Sequence, residues 1–293
     1  MKRRITITDY LLILYMLMVI IITLFPFLNI VAKSFNDPID TVKGGIYIIP
    51  RVFTIKNYTG LFENGSNLFP AFRMSILRTI TGTLTGLLCC AMFAFTLSRP
   101  DFMFRKIFTA LLVITMYIGG GMIPEYILIR NLGLINNFWV YIIPGLINAF
   151  NVIIICAYME TIPVSLQESA KIDGANDLSI FFRIIFPLCK PVLATIALFI
   201  AVGQWNSWFD TYLYARSVKA LSTLQFELMK ILDSAQSISS SVDVYSETLR
   251  SAKRSPEALK MAITVIATVP ILAVYPFLQK YFVSGITLGA VKE

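Results

Sequence analysis

Glu168, Ala170, Asp173 and Gly174, followed across nine residues by Ile184 and then by Pro187, are the residues whose types and spacing point most directly to a chemistry. That chemistry is recognition, not bond making. Pro163 can open a short helix, and Gln167 and Glu168 put polar and acidic groups in its first turn, where negative charge suits the helix dipole. Gly174 permits the left-handed turn that ends it. Leu178, Phe181, Phe182 and Ile185 then recur at helical spacing, with Asp177 near the start and Arg183 near the end, until Pro187 opens a new apolar run. Two short helices joined at a glycine, set between two hydrophobic spans, have the form of a docking element.

A second set of residues is suited to binding. In Gln204-Trp-Asn-Ser-Trp-Phe-Asp210, the residues Gln204, Trp205, Asn206 and Trp208 pair amides with aromatic faces. Sugar rings favour that mixture, because their C–H faces pack on aromatics while their hydroxyls seek polar partners. A tryptophan belt at the membrane interface accounts for Trp205 and Trp208 equally well. Tyr141, Gly145, Asn148 and Asn151 recur at spacings of three to four, which sets them on one side of a helix. Such a stripe lines a wet pathway or hydrogen-bonds to a neighbouring helix. Gly82-Thr-Leu-Thr-Gly86 is a GxxxG face, compatible with close packing inside one subunit or between two.

Catalysis and metal binding find little support. There is no histidine, and Cys89, Cys90, Cys156 and Cys189 lie in or beside apolar runs without metal-ligand spacing. No nucleophile stands with a base at membrane depth, so neither catalytic residues nor a metal site are expected. A Gly-x4-Gly-Lys-Ser/Thr phosphate loop is absent, and Gly119-Gly120-Gly121 lacks the lysine that should follow. No cofactor is expected on this chain, and any ATP hydrolysis belongs to another polypeptide.

The elements that position these residues are membrane spans. The chain has 293 residues, 57% hydrophobic and 14% charged, with a mean hydropathy of +0.73, which exceeds what a water-soluble core needs. Six apolar runs are long enough to cross a bilayer: Tyr10 to Val31, Met74 to Leu97, Ile107 to Ile123, Phe138 to Tyr158, Pro187 to Trp205 and Ala262 to Leu278. The first is longer than a signal core and lacks a small-x-small cleavage site, so it is expected to stay as an anchor. Lys2, Arg3 and Arg4, then Arg99, Arg105 and Lys106, then Lys171, Arg183 and Lys190 mark the cytoplasmic side, which leaves both termini inside. The net charge of +8 is spread among loops and reads as topological, not as a nucleic-acid surface. No acid interrupts the middle of a span, and Arg78 lies near an end, where it can snorkel. Energy supplied from outside the bilayer is therefore expected.

The run from Glu168 to Pro187 resembles the EAA loop of ABC importer permeases, whose consensus is Glu-Ala-Ala, three residues, Gly, nine residues and Ile-x-Leu-Pro. Ser169 replaces an alanine and Phe186 the leucine, and both keep a small or an apolar contact. The resemblance implies an all-α integral membrane protein of the type I ABC importer fold, with six transmembrane helices and a cytoplasmic coupling-helix loop. It implies a single permease domain over 1–293, with the coupling loop at about 160–187, long outer loops at about 33–73 and 209–260, and a cytoplasmic tail at 280–293. Glu168, Ala170, Asp173, Gly174, Ile184 and Pro187 would then meet a groove on a separate cytoplasmic ATPase dimer, which holds ATP and magnesium.

The tail, Tyr281-Phe-Val-Ser-Gly-Ile-Thr-Leu-Gly-Ala-Val-Lys-Glu293, resembles those of maltose-permease-G-like subunits, in which case Gly289, Val291 and Lys292 approach the ATPase. A frayed terminus is the other reading. The tail and the Trp-Asn-x-Trp segment are most similar to carbohydrate-uptake permeases of the Lpl and Ytc types. That implies a polysaccharide or oligosaccharide cargo in a bacterial cytoplasmic membrane, with a non-sugar solute or a secondary carrier as the alternatives. The expected partners are a second, homologous permease forming a heterodimer, the ATPase dimer, an extracellular solute-binding lipoprotein that the outer loops contact, and membrane lipid.

Overall fold

The computed structural model describes residues 6–62, 67–240 and 256–290. Among them the chain is mostly helical, and its one extended pairing is an antiparallel bridge between Asn36 and Phe53. Contacts divide the chain into two compact units, Met1–Leu68 with Glu227–Pro270, and Phe69–Phe226 with Ile271–Glu293.

In the first unit, α1 (Ile7–Ser34) opens where the Asp9 carboxylate accepts the Thr6 backbone N–H at 2.7 Å. Its most apolar stretch is wholly unburied within the chain, so lipid or a neighbouring chain must cover it. After α1 the chain passes through α2 (Pro38–Val42) to α3 (Lys56–Phe62). Asn36, fully buried, organises this region: its Nδ2 donates to Asp40 and Thr41, and its Oδ1 accepts from the Val52 N–H at 2.9 Å. Gly44 and Gly45 take positive φ, as a turn there requires.

The second unit carries the candidate functional residues. Its helices are α4 (Leu68–Ser98), α5 (Arg105–Tyr117), α6 (Met122–Asn131), α7 (Ala149–Met159), α8 (Ser165–Ile172), α9 (Asp177–Ile180), α10 (Phe186–Leu188), α11 (Lys190–Asn206) and α12 (Phe209–Tyr214). Two tight turns, Phe138–Tyr141 and Ile143–Gly145, precede α7. The core joins α4, α7 and α11 through Ala91, Ala94, Val152, Ile155, Leu193 and Ile196. Small residues let α4 approach closely, since a Cβ on Gly82 would sit 2.8 Å from the Gln204 side chain and one on Gly86 3.7 Å from Ile200. The GxxxG face therefore packs inside this subunit.

Among the described residues, two helices, α1 and α4, are long and apolar enough to cross a membrane alone, and three bent pairs bring the number to five if each is one span. The third expected run stops at Tyr117, and α6 turns away by 119°. Gly119, Gly120 and Gly121 explain the break: each glycine disfavours helix by about 1 kcal/mol, and Gly121 sits at φ +84°, open only to a residue without Cβ. The fourth run bends by 48° after Pro144 and Gly145, and the fifth lies almost wholly in α11, which turns by 85° at Cys189 from the loop segment Asp177–Leu188. The sixth lies within α14 (Pro256–Ala290). The segment 209–260, expected to be a long outer loop, contains helices: α12 is followed by α13 (Leu224–Ser240), with Leu224 and Phe226 buried. Residues 241–255 of that segment, and 63–66 of the other expected loop at 33–73, fall outside the described residues.

Candidate functional sites

The loop between α7 and α11 has two faces. Glu168, Asp173 and Gly174 are exposed, while Ala170 is buried and Ile184 and Pro187 are half-buried. Ala170, Ile180, Phe181 and Ile185 enter the core, which anchors the loop to the helices behind it. On the outer face, Ile172 is 86% exposed beside Asp173, an apolar side chain offered to water next to carboxylates. Gly174 takes φ +82°, and the next helix starts where Asn176 Oδ1 accepts the Ser179 N–H at 2.8 Å. A π-turn over Phe181–Ile185 follows, a widened geometry that often marks a functional hinge.

An ionic cluster fastens this loop to the turn after α4. Arg99 donates from Nη1 to Asp177 at 3.0 Å and from Nε and Nη2 to the two oxygens of Asp101 at 3.2 and 3.3 Å. Lys171 Nζ, on α8, donates to Asp101 Oδ2 at 3.2 Å. The guanidinium also lies 5.3 Å from the Phe95 ring, which packs on Phe181 at 5.4 Å. Hydrogen bonding from Arg99, supplemented by Lys171, holds the Asp101 carboxyl well below the usual carboxylate range.

A second cluster lies farther along α4. Arg78 is 2% exposed and donates to both oxygens of Asp210 at 3.2 and 2.5 Å, to Gln204 Oε1 at 3.0 Å and to the Ser207 carbonyl at 3.4 Å. Its guanidinium covers the Tyr141 ring at 4.3 Å. The expectation that Arg78 snorkels is therefore corrected. Asp210 returns to it across the α11–α12 break, and a bidentate fork satisfies the charge where it stands. Gln204 Nε2 donates to the Tyr141 carbonyl at 3.1 Å, and Tyr141 Oη to the Leu221 carbonyl at 2.8 Å.

Of the other polar candidates, Tyr141 and Gln204 belong to this cluster and the rest do not. Asn148 is exposed and caps α7, its Oδ1 accepting the N–H of Asn151, itself buried. One continuous helix would have aligned these asparagines, but the break before α7 separates them from Tyr141. Trp205 is buried edge-on to Phe72 at 6.0 Å, and Trp208 stands edge-on to Phe209 at 5.6 Å. Asn206 donates to the Val202 carbonyl and accepts from Gln225. Gly289 lies in α14, and Val291 and Lys292 fall outside the described residues.

The sequence carries no sign of roles for Asp101 and Ile172, offers Asp210 only as the carboxylate of the aromatic and polar segment, and makes Arg99 a topological charge. One signal was available: Arg78, Gly82 and Gly86 are spaced by four, so the arginine shares the face on which α4 packs.

Comparison with known proteins identifies the family. A family model described as "Binding-protein-dependent transport system inner membrane component" matches residues 82–288. The polygalacturonan/rhamnogalacturonan transport system permease protein YtcP of Bacillus subtilis strain 168 is 37% identical over 95% of this chain and 96% of its own length. Protein LplC of the same strain is 38% identical over 92% of this chain and 90% of its own. A crystal structure of a bacterial ABC transporter involved in the import of the acidic polysaccharide alginate contains a chain that superposes with a TM-score of 0.83 at 29% identity, covering 96% of this chain and all of that one.

Proposed function

Because the chain belongs to the family of binding-protein-dependent transport system inner membrane components, we propose that it is a transmembrane permease subunit of an ABC importer for an oligosaccharide or polysaccharide fragment. The two-faced loop carries this reading. Its inner face is embedded in the core, and its outer face offers Glu168, Ile172 and Asp173 to a partner. A rigid body presenting an acidic and apolar ridge to water is what a separate motor needs to grip.

In this mechanism ATP and magnesium bind a cytoplasmic ATPase dimer whose closure draws the loops of two homologous permeases together. The membrane pathway then switches from inward-facing to outward-facing, with the loaded solute-binding protein docked outside, and hydrolysis resets it. The chain supplies no catalytic residue. Both termini and the loop lie on the cytoplasmic side, and the tail, with Gly289, Val291 and Lys292, reaches the ATPase. The names of the relatives support a saccharide cargo, since one is a polygalacturonan/rhamnogalacturonan permease and another serves the import of the acidic polysaccharide alginate.

Uptake of a labelled oligogalacturonide by cells carrying the full transporter tests the reading. Transport should require an active ATPase subunit, and Glu168→Lys should lower it by about tenfold while the protein still inserts. Uptake that persists with the ATPase inactivated would point to a secondary carrier. Failure of oligogalacturonide with uptake of an unrelated solute would overturn the saccharide assignment.

A further inference from the structure

We propose that the turn joining α4 to α5 is a working part of the coupling device, with Arg99 and Asp101 as positioning residues that bind both helices of the loop to the end of α4. The proposal rests on the docking role given above to residues 160–187. It adds a route by which a push on the loop reaches a membrane-spanning helix.

Three observations carry it. The cluster reaches both sides of the Gly174 joint, because Lys171 on α8 bonds Asp101 and Asp177 at the start of α9 bonds Arg99. Gly174 joins the two short helices at φ +82°, and the cluster adds a polar tie across that joint to the apolar one made by Ala170 and Ile180. The central guanidinium is itself largely buried, with its side chain 9% exposed, whereas the carboxylates of Asp101 and Asp177 are 60% and 67% exposed. Arg99 is thus the fixed member, and the outer groups are tethered to it. Directly beneath, the Phe95–Phe181 contact joins the same two elements through apolar packing, so charge and packing act along one line. A two-point ionic tether across the glycine joint makes both short helices move with the end of α4 as one lever.

Asp101 and Lys171, the groups to be changed, are exposed and their pairs add little stability, so their removal is expected to affect transmission more than folding. The test uses the complete transporter in proteoliposomes with its ATPase and binding protein, with oligogalacturonide as the probe cargo. Asp101 and Lys171 line one small cavity with Glu168, so co-purification of the ATPase subunit is measured alongside: it should stay at the wild-type level in Asp101→Asn, and its loss would assign Asp101 to docking and overturn the tether. ATP hydrolysis stimulated by the loaded binding protein should fall by about tenfold in the same variant. Lys171→Gln should act in the same direction, Lys171→Arg should restore stimulation, and the double variant Asp101→Asn with Lys171→Gln should lose less than the product of the two single losses.

Wild-type stimulation in Asp101→Asn and Lys171→Gln, alongside uncoupling by Glu168→Lys, would overturn the tether and leave the docking reading standing. No effect of Glu168→Lys would remove the docking reading itself. Equal losses in Lys171→Arg and Lys171→Gln would assign Lys171 a steric role and overturn the ionic one.

Discussion

Removing the Asp210 carboxylate would leave the Arg78 guanidinium facing Tyr141 and Gln204 with no counter-charge. The cost of breaking such a buried pair is about 3–5 kcal/mol, most of it the penalty of an uncompensated charge. Asp210→Ala should therefore lower the thermal unfolding temperature of the purified protein sharply, and Arg78→Met combined with Asp210→Leu should recover much of the loss. Equal destabilisation by the single and double changes would mean that the pair itself, and not an orphaned charge, matters. Asp101 behaves differently because it is exposed. Its carboxyl is depressed by Arg99, so its contribution is fully present above the ordinary carboxylate value of about 3.9 and is lost as pH falls through the lower folded value. The stability difference between wild type and Asp101→Asn, followed by thermal unfolding, should stay flat from about pH 5 to 8 and shrink below about pH 4. A difference that grew toward pH 8 would require another titrating group.

At the scale of elements, the joint at Gly174 is a conformational constraint and not a steric one. Its φ is +82° and no atom lies within 4 Å of the position a Cβ would take, so a side chain would meet strain without a clash. Gly174→Ala should cost about 1 kcal/mol, and Gly174→Asn less, because asparagine tolerates left-handed backbone. Amide exchange across residues 165–180 should accelerate by up to about tenfold in the alanine variant, with α4 and α11 unchanged. The breaks at residues 118–121, at Pro144 and at Cys189 follow a common logic, in which glycine or proline removes helical continuity and the chain redirects. They bring Tyr141 and Gln204 from different segments onto Arg78.

For the whole molecule, the placement of loops relative to the membrane follows from charge and is open to direct labelling. With the four native cysteines replaced by alanine, a cysteine at Ser169 should react with an impermeant maleimide only in permeabilised cells, and one at Lys43 should react in intact cells. Labelling of position 169 in intact cells would reverse the proposed topology and with it access to a cytoplasmic ATPase. The unburied apolar surface of α1 also belongs to this scale. A chain that exposes so much of its first helix is completed by lipid or by another subunit.

Much of this was legible in the order of residues alone. Membrane character, the apolar runs, the loop with its Gly174 joint and the absence of a phosphate loop depend on composition and on short-range spacing, and those properties survive in a linear string. The family resemblance rested on the same local pattern. Tertiary structure alone decided that Arg78 finds Asp210, 132 positions away, that Asn148 caps a helix instead of extending a polar stripe, and that Arg99 and Asp101 hold the loop. Each of these depends on where broken helices redirect the chain. A partner brought close by a fold leaves no periodic trace in the residues that separate it from its mate.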